Sequence, residues 1–353
     1  MMFRRRTHIL PVFLAAIFMA GFFVSSSLAQ NEPFSSADAA RALRKDDALK
    51  DWTGNGTIDK NDVKAMLLTI TGRADSAEQL QDCLKTSLLG EKYLEMFSYN
   101  KTVQMGHNYY SSNVSITVTD KTYVSNLNKK VVCHIADIYI RNIFCLRTGL
   151  ANNTFGSSET VENMAREQNA LLAVNGDYCS QRRDGTIIRN GTLYRKNRAT
   201  QRDTCAILYD GRMKLYPAGS YTADDFNCDG VYQSWCFGPS LLDENSHAKS
   251  RGHFITNVFY NNPRCALGYY EPGHYCLVVV DGRGKNDSHG LDMEGLSALM
   301  EELGCKSAYN MDGGATAVMV SKSGNVNKQT DKSRACSDII YIIDNTEKPS
   351  VSE

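Results

Sequence analysis

Short apolar runs with a period of two recur from residue 109 to near the end of the chain, and they constrain the fold more than any other feature. Val114, Ile116 and Val118 alternate with polar residues, as do Val131, Cys133 and Ile135, and later Ile138 and Ile140. This period sends successive side chains to opposite faces of a sheet. Further strands are expected at 171–174, 187–188, 205–209, 213–215, 275–280, 317–320 and 339–343, with helices over 160–168 and 295–302. The expected class is α+β. A mixed β-rich domain with flanking helices spans 100–345, preceded by a helix and linker over 74–99 and a small all-α EF-hand-like module.

At the amino terminus, Arg4, Arg5 and Arg6 precede an apolar run over about 9–24, and small residues follow, with Ser27 and Ala29 where a signal peptidase reads. The segment 1–29 reads as a secretory signal, placing the protein outside the cell or at its surface. The rival is a retained anchor, for which the run is short. No stable membrane span is expected after signal removal. Lys+Arg and Asp+Glu both number 39, so no bulk field draws the chain to nucleic acid.

Export changes the reading of the eleven cysteines. The spacings of Cys133 with Cys145, Cys228 with Cys236 and Cys265 with Cys276 suit no zinc site, so disulfides are expected, with at least one thiol left over. Cys205 and Cys276 lie in apolar runs and fit buried thiols as well. Connectivity stays open.

Residues 34–43 and 58–67 are copies of one short pattern at a period of twenty-four. Ahead of the second copy, Asp51, Thr53, Asn55, Asp59 and Asp62 fall at positions 1, 3, 5, 9 and 12 of a calcium loop, Gly56 takes its sharp turn and Thr57 supplies a carbonyl. The region 31–73 resembles a dockerin, which implies bound Ca2+ and a cohesin-bearing scaffold as partner. The first copy departs from the pattern: its ligand positions fall at Ser27, Ala29 and Asn31, which limits the module to one ion. The plainer alternative is a helical cap stabilised by that ion.

Three polar clusters follow directly on apolar runs: Asn175-Gly176-Asp177-Tyr178, Asp281-Gly282-Arg283 and Asn310-Met311-Asp312-Gly313-Gly314-Ala315-Thr316. Alone, each is most simply a turn, because glycine accepts positive φ and Asx side chains cap the chain. Their recurrence, with Arg264 and Arg283 alongside, points instead to a pocket at strand ends.

With the steps Ala173-Val174-Asn175-Gly176-Asp177-Tyr178, Ile188-Arg189-Asn190-Gly191, Arg264-Cys265-Ala266-Leu267-Gly268, Val280-Asp281-Gly282-Arg283, the run 288–295 and Asn310–Thr316, the sequence resembles the phosphodiester glycosidase family. Cys265 and Ala315 replace the family's usual hydroxyl and third glycine. The resemblance implies hydrolysis of a sugar-1-phosphodiester to free sugar and phosphomonoester. The phosphate leaves readily, so anion binding and oxocarbenium stabilisation matter more than a strong general acid. Arg264 and Arg283 can fork onto phosphoryl oxygens, and Gly313 and Gly314 can offer backbone N–H groups to the anion.

Asp177, Asp281 and Asp312 are candidates to activate water or attack the anomeric carbon, with Glu294 as acid/base or supporting carboxylate, or simply an acid in a first helical turn. Asn175, Asn310 and Thr316 complete the substrate-binding set. The choice of nucleophile stays open, as does a catalytic metal, since clustered aspartates suit calcium or magnesium without fixing a ligand set. Tyr221, Phe226, Tyr232, Trp235 and Phe237 form either a sugar-stacking wall or local core. Single histidines, His134 among them, read as satisfied groups. The same residues also fit a phosphodiesterase cutting the P–O bond, or a non-catalytic binder of phosphorylated glycans.

Overall fold

The computed structural model describes residue 89, residues 93–347 except 126–127, 223–224, 227–228, 255–259 and 329–333, and residue 349. The signal-like segment, the dockerin-like repeat and the calcium-loop residues lie outside them. The described residues within 88–227 and 231–353 make one compact unit.

Seven strands form the larger sheet, in the order β1 (Val103–Met105), β2 (Asn108–Tyr110), β3 (Val114–Val124), β4 (Lys130–Ile140), β13 (His274–Val280), β12 (Arg264–Glu271) and β14 (Ser307–Asn310). A five-stranded sheet runs β16 (Gly324–Asn325), β15 (Met319–Ser321), β6 (Leu172–Asn175), β17 (Asp338–Ile342) and β5 (Leu146–Leu150). A three-stranded sheet runs β10 (Met213–Tyr216), β9 (Thr204–Leu208) and β11 (Val231–Trp235), and β7 (Ile187–Arg189) pairs with β8 (Thr192–Arg195). Two α-helices accompany them among the described residues, α1 (Val161–Glu167) and α2 (Met293–Glu302). Neither is long and apolar enough to cross a membrane.

The period of two explains the layering. On β13, Leu277 and Val279 join residues of β5, β6, β15 and β17 in the core between the two larger sheets, while Cys276, Val278 and Val280 face Leu296, Leu299 and Met300 of α2. The opposite face of the five-stranded sheet packs Ala173, Val320 and Ile339 on Val161, Met164 and Ala165 of α1. Both helices begin where a side chain satisfies a free backbone N–H: Thr160 accepts from Asn163, and Asp292 accepts from Gly295 at 2.8 Å. Beyond α2, Gly304 takes φ +76°, the left-handed conformation that ends a helix.

Of the two readings of the aromatic-rich stretch, local core holds for Tyr221, Phe226, Tyr232 and Trp235, while Phe237 is part-buried. Tyr221 and Phe226 are buried together with ring centroids 4.6 Å apart, and Tyr232 and Trp235 are buried in strand β11. They sit there because the β9–β11 sheet is covered on both faces. The nine described cysteines are all buried, each as a free thiol in this structure.

Candidate functional site

Three strand ends of the seven-stranded sheet meet at one edge. Arg264 starts β12 opposite Val280, the last residue of β13, and Asn310 ends β14 opposite Ala266. Asn175 ends β6 of the other sheet, and its side-chain amide donates to the Asp312 carbonyl at 2.6 Å. The expected clusters around Asn175, Asp281 and Asp312 are thereby brought to one end of the sandwich.

At the centre lies the turn 312–316. Asp312 Oδ1 accepts from the Gly313 N–H at 2.8 Å, and Oδ2 takes Arg334 Nη2 at 2.6 Å. Thr316 Oγ1 donates to the Gly313 carbonyl at 2.9 Å and ties the turn shut. The Gly314 N–H is also taken, by the Pro263 carbonyl at 2.9 Å. These two glycines therefore spend their N–H groups inside the protein. Their lack of side chains matters differently: a Cβ on Gly313 would lie 2.8 Å from the Pro263 carbonyl oxygen, and one on Gly314, at φ +68°, 3.0 Å from Arg283 Nη2. Arg283 stands over this turn, held by Asn262 Oδ1 at 3.2 Å and otherwise exposed. Asn310 Nδ2 donates to the Gly238 carbonyl, leaving its buried Oδ1 without a protein partner among the described residues.

Asp281 is sealed and fully engaged. His134 Nε2 lies 3.1 Å from its Oδ2, Asn286 Nδ2 donates to the same oxygen at 2.5 Å, and Asn327 Nδ2 reaches Oδ1 at 3.3 Å. The other ring nitrogen of His134 lies 2.7 Å from Asp120 Oδ1, across the β3–β4 pair. Burial opposes the imidazolium, but hydrogen bonds and the charges of Asp281 and Asp120 outweigh it and raise the His134 pKa.

Asp177 belongs to a second buried cluster. Arg189 Nη2 lies 3.2 Å from Asp177 Oδ1 and 2.7 Å from Asp338 Oδ2. The N–H groups of Cys179 and Cys236 donate to Asp177, and that of Asp177 donates to Asp338. A side chain at Gly176 would place its Cβ 2.3 Å from Asp338 Oδ1, which explains the glycine of the Asn-Gly-Asp step. Ligand atoms of Asp177, Cys179 and Asp338 lie within 4.8 Å of one another. The donor set does not suit a metal ion, because the Arg189 guanidinium already provides the cation and backbone N–H groups occupy both carboxylates. The next two residues after Arg189, Asn190 at φ +52° and Gly191 at φ +82°, form the two-residue turn joining β7 to β8.

Two sequence candidates point away from this centre. Arg264 alternates to the α2 face of the sheet, where Nε donates to the Leu291 carbonyl at 2.8 Å and Nη2 to the Tyr260 carbonyl at 2.7 Å. Glu294 is exposed in the first turn of α2, in the layer outside the sheet.

Residues that sequence reasoning passed over surround Asp312 instead. Tyr178 carries two guanidinium groups, Arg334 at 5.8 Å and Arg182 at 5.9 Å from its ring centroid. Arg182 also lies over Phe237 at 4.5 Å and donates to the carbonyls of Cys236 and Phe237. Burial and the neighbouring charge of Arg202 lower the Arg182 pKa, and no carboxylate among the described residues forms an ion pair with it. The Asp-Tyr step hinted at Tyr178, and the consecutive Arg182 and Arg183 at a cationic surface. Arg334 sits in a polar stretch with no local signal.

Comparison with known proteins places the chain beside one family. Residues 168–343 match the phosphodiester glycosidase family model. The "SPbeta prophage-derived uncharacterized protein YomE" of Bacillus subtilis (strain 168) is 27% identical over 186 residues, covering 50% of this chain but only 28% of that protein. The fold resembles the zebrafish N-acetylglucosamine-1-phosphodiester alpha-N-acetylglucosaminidase catalytic domain auto-inhibited by its pro-peptide, with TM-score 0.56, 19% identity, and coverage of 69% of this chain and 88% of that one. It also resembles a hypothetical protein from Synechocystis, with TM-score 0.50, 12% identity, and coverage of 69% and 63%.

Proposed function

We propose that this phosphodiester glycosidase domain hydrolyses the glycosidic bond of a sugar-1-phosphodiester, releasing free sugar and a phosphomonoester, with Asp312 as the carboxylate that meets the anomeric carbon or its attacking water. One observation carries the choice. Of the three strand-end aspartates, Asp312 keeps 9% of its side chain open beside the half-exposed Arg334, whereas Asp177 and Asp281 keep 1% and 0%. A reacting group must be open to substrate, and Asp312 is the most open of the three.

The division of labour follows. Arg334, Arg182 and Arg283 present positive charge around the turn and hold the phosphate, which leaves as a monoester. Tyr178 and Phe237 give the arginines flat supports. Asn175 fixes the Asp312 backbone, Asp281 anchors the turn that carries Arg283, and Asp177 with Arg189 and Asp338 braces the strand end behind Tyr178. Export by the amino-terminal signal, one calcium in the 51–62 loop and docking to a cohesin-bearing scaffold belong to the same proposal.

The test is incubation of the purified chain with N-acetylglucosamine-1-phosphate methyl diester and a panel of other sugar-1-phosphodiesters. Stoichiometric free sugar and phosphomonoester are expected from at least one of them. Tight binding without turnover across the panel favours the non-catalytic reading.

A further inference from the structure

We propose that Cys276 and Cys305 are joined by a disulfide in the exported protein. The inference is independent of the reaction assigned above. Cys276 lies on β13 and Cys305 in the turn between α2 and β14; both are buried, and their sulfurs are 3.7 Å apart. Bond formation requires an approach of about 1.7 Å to reach the ordinary S–S length of about 2.05 Å.

The surroundings are shaped for this contact. Gly268 pairs with Cys276 on one side and Ala308 on the other. A Cβ on Gly268 would lie 2.5 Å from the Cys276 sulfur and 2.7 Å from that of Cys305, so its missing side chain is what lets the sulfurs meet. The Tyr270 hydroxyl interacts with both sulfurs, and its ring stacks on His274 at 4.1 Å. The pair is thus roofed against external reductants once closed.

The oxidant is an external disulfide, either a small molecule or an exported thiol–disulfide oxidoreductase. The Cys305 thiolate attacks one of its sulfurs and expels a thiol, giving a mixed disulfide. Cys276, deprotonated, attacks the Cys305 sulfur and expels the second thiol. Two protons and two electrons leave the pair, and the external disulfide becomes two thiols. Burial of both sulfurs places the exchange during folding, before α2 packs onto the sheet. The resulting ring encloses Asp281, Arg283 and all of α2, and fastens the outer helix to the strand whose end bears Asp281.

The experiment takes the full chain secreted into an oxidising medium, unfolds it in an alkylating agent without reductant, and maps its peptides by mass spectrometry. A linked pair containing Cys276 and Cys305, lighter by two hydrogens than the separate peptides, is expected. Alkyl label on both cysteines overturns the proposal. In parallel, reduction should lower Tm by roughly 5–10 °C in the wild type. That shift should vanish in Cys276→Ser and Cys305→Ser; an equal shift in these variants contradicts the assignment. Should either variant fail to fold, the peptide map of the wild type decides alone.

Discussion

Arg334 Nη2 rests 2.6 Å from Asp312 Oδ2, and the arginine is half exposed where the aspartate is nearly covered. A carboxylate in this position is largely shielded from bulk water, with positive charge at its shoulder. Asn175 and Thr316 hold the turn from behind, so the Asp312 side chain is fixed by its own backbone.

Asp312→Asn keeps the shape of that turn and removes the charge. The expected outcome is a fall in kcat/KM of about 10³-fold or more with Tm nearly unchanged, measured by steady-state kinetics beside thermal unfolding. Full activity in this variant would refute the assignment.

Arg182→Met should act on binding. Loss of a guanidinium facing the phosphate raises KM by roughly tenfold and leaves kcat less affected. The same variant should flatten the dependence of KM on salt, because a half-exposed cation–anion contact is partly screened by ions. Kinetics at two ionic strengths check both effects; an unchanged KM and unchanged salt slope would move the phosphate elsewhere.

Arg189→Met leaves Asp177 and Asp338 buried without their cation. Breaking a buried ion pair from one side costs about 3–5 kcal/mol, so the denaturant midpoint should fall markedly. Because Arg189 supports the strand end from within, its loss is read first in stability. A variant as stable as wild type would show that the cluster does not hold this region together.

His134 gives a pH dependence whose sign is set by its raised pKa. A histidine easier to protonate when folded contributes stability fully below its unfolded pKa of about 6.5, and loses it as pH rises through the higher folded value. Titrating Tm upward from pH 6 should therefore show a decline that His134→Asn lacks. Parallel profiles for the two proteins would mean that the clamp between Asp120 and Asp281 is not felt in folding.

Much of the sandwich was legible because its strands are covered on both faces. The run Leu277–Val280 has an α2-facing and a sheet-facing set, and both must be apolar. The three strand-end clusters lie at one end of the sandwich. What the sequence left hidden is which of their side chains face inward. Arg264 and Cys265 are neighbours in a recognisable step, yet strand alternation sends Arg264 to α2 and points the Cys265 sulfur at the Asn175 carbonyl.

Long-range pairing hid the rest. His134 meets Asp281 from 147 positions away, and Arg189 meets Asp338 from 149. Neither relation leaves a local spacing. The aromatic-rich stretch before Gly238 stayed ambiguous for the same reason, since period two alone does not say whether a second layer covers the outer face of β11.

The most direct test of the account is hydrolysis in water enriched in heavy oxygen, with both products analysed by mass spectrometry. Attack at the anomeric carbon puts the label in the released sugar and leaves the phosphomonoester unlabelled. Label in the phosphate would show that the P–O bond is cut and would contradict the glycosidase reading.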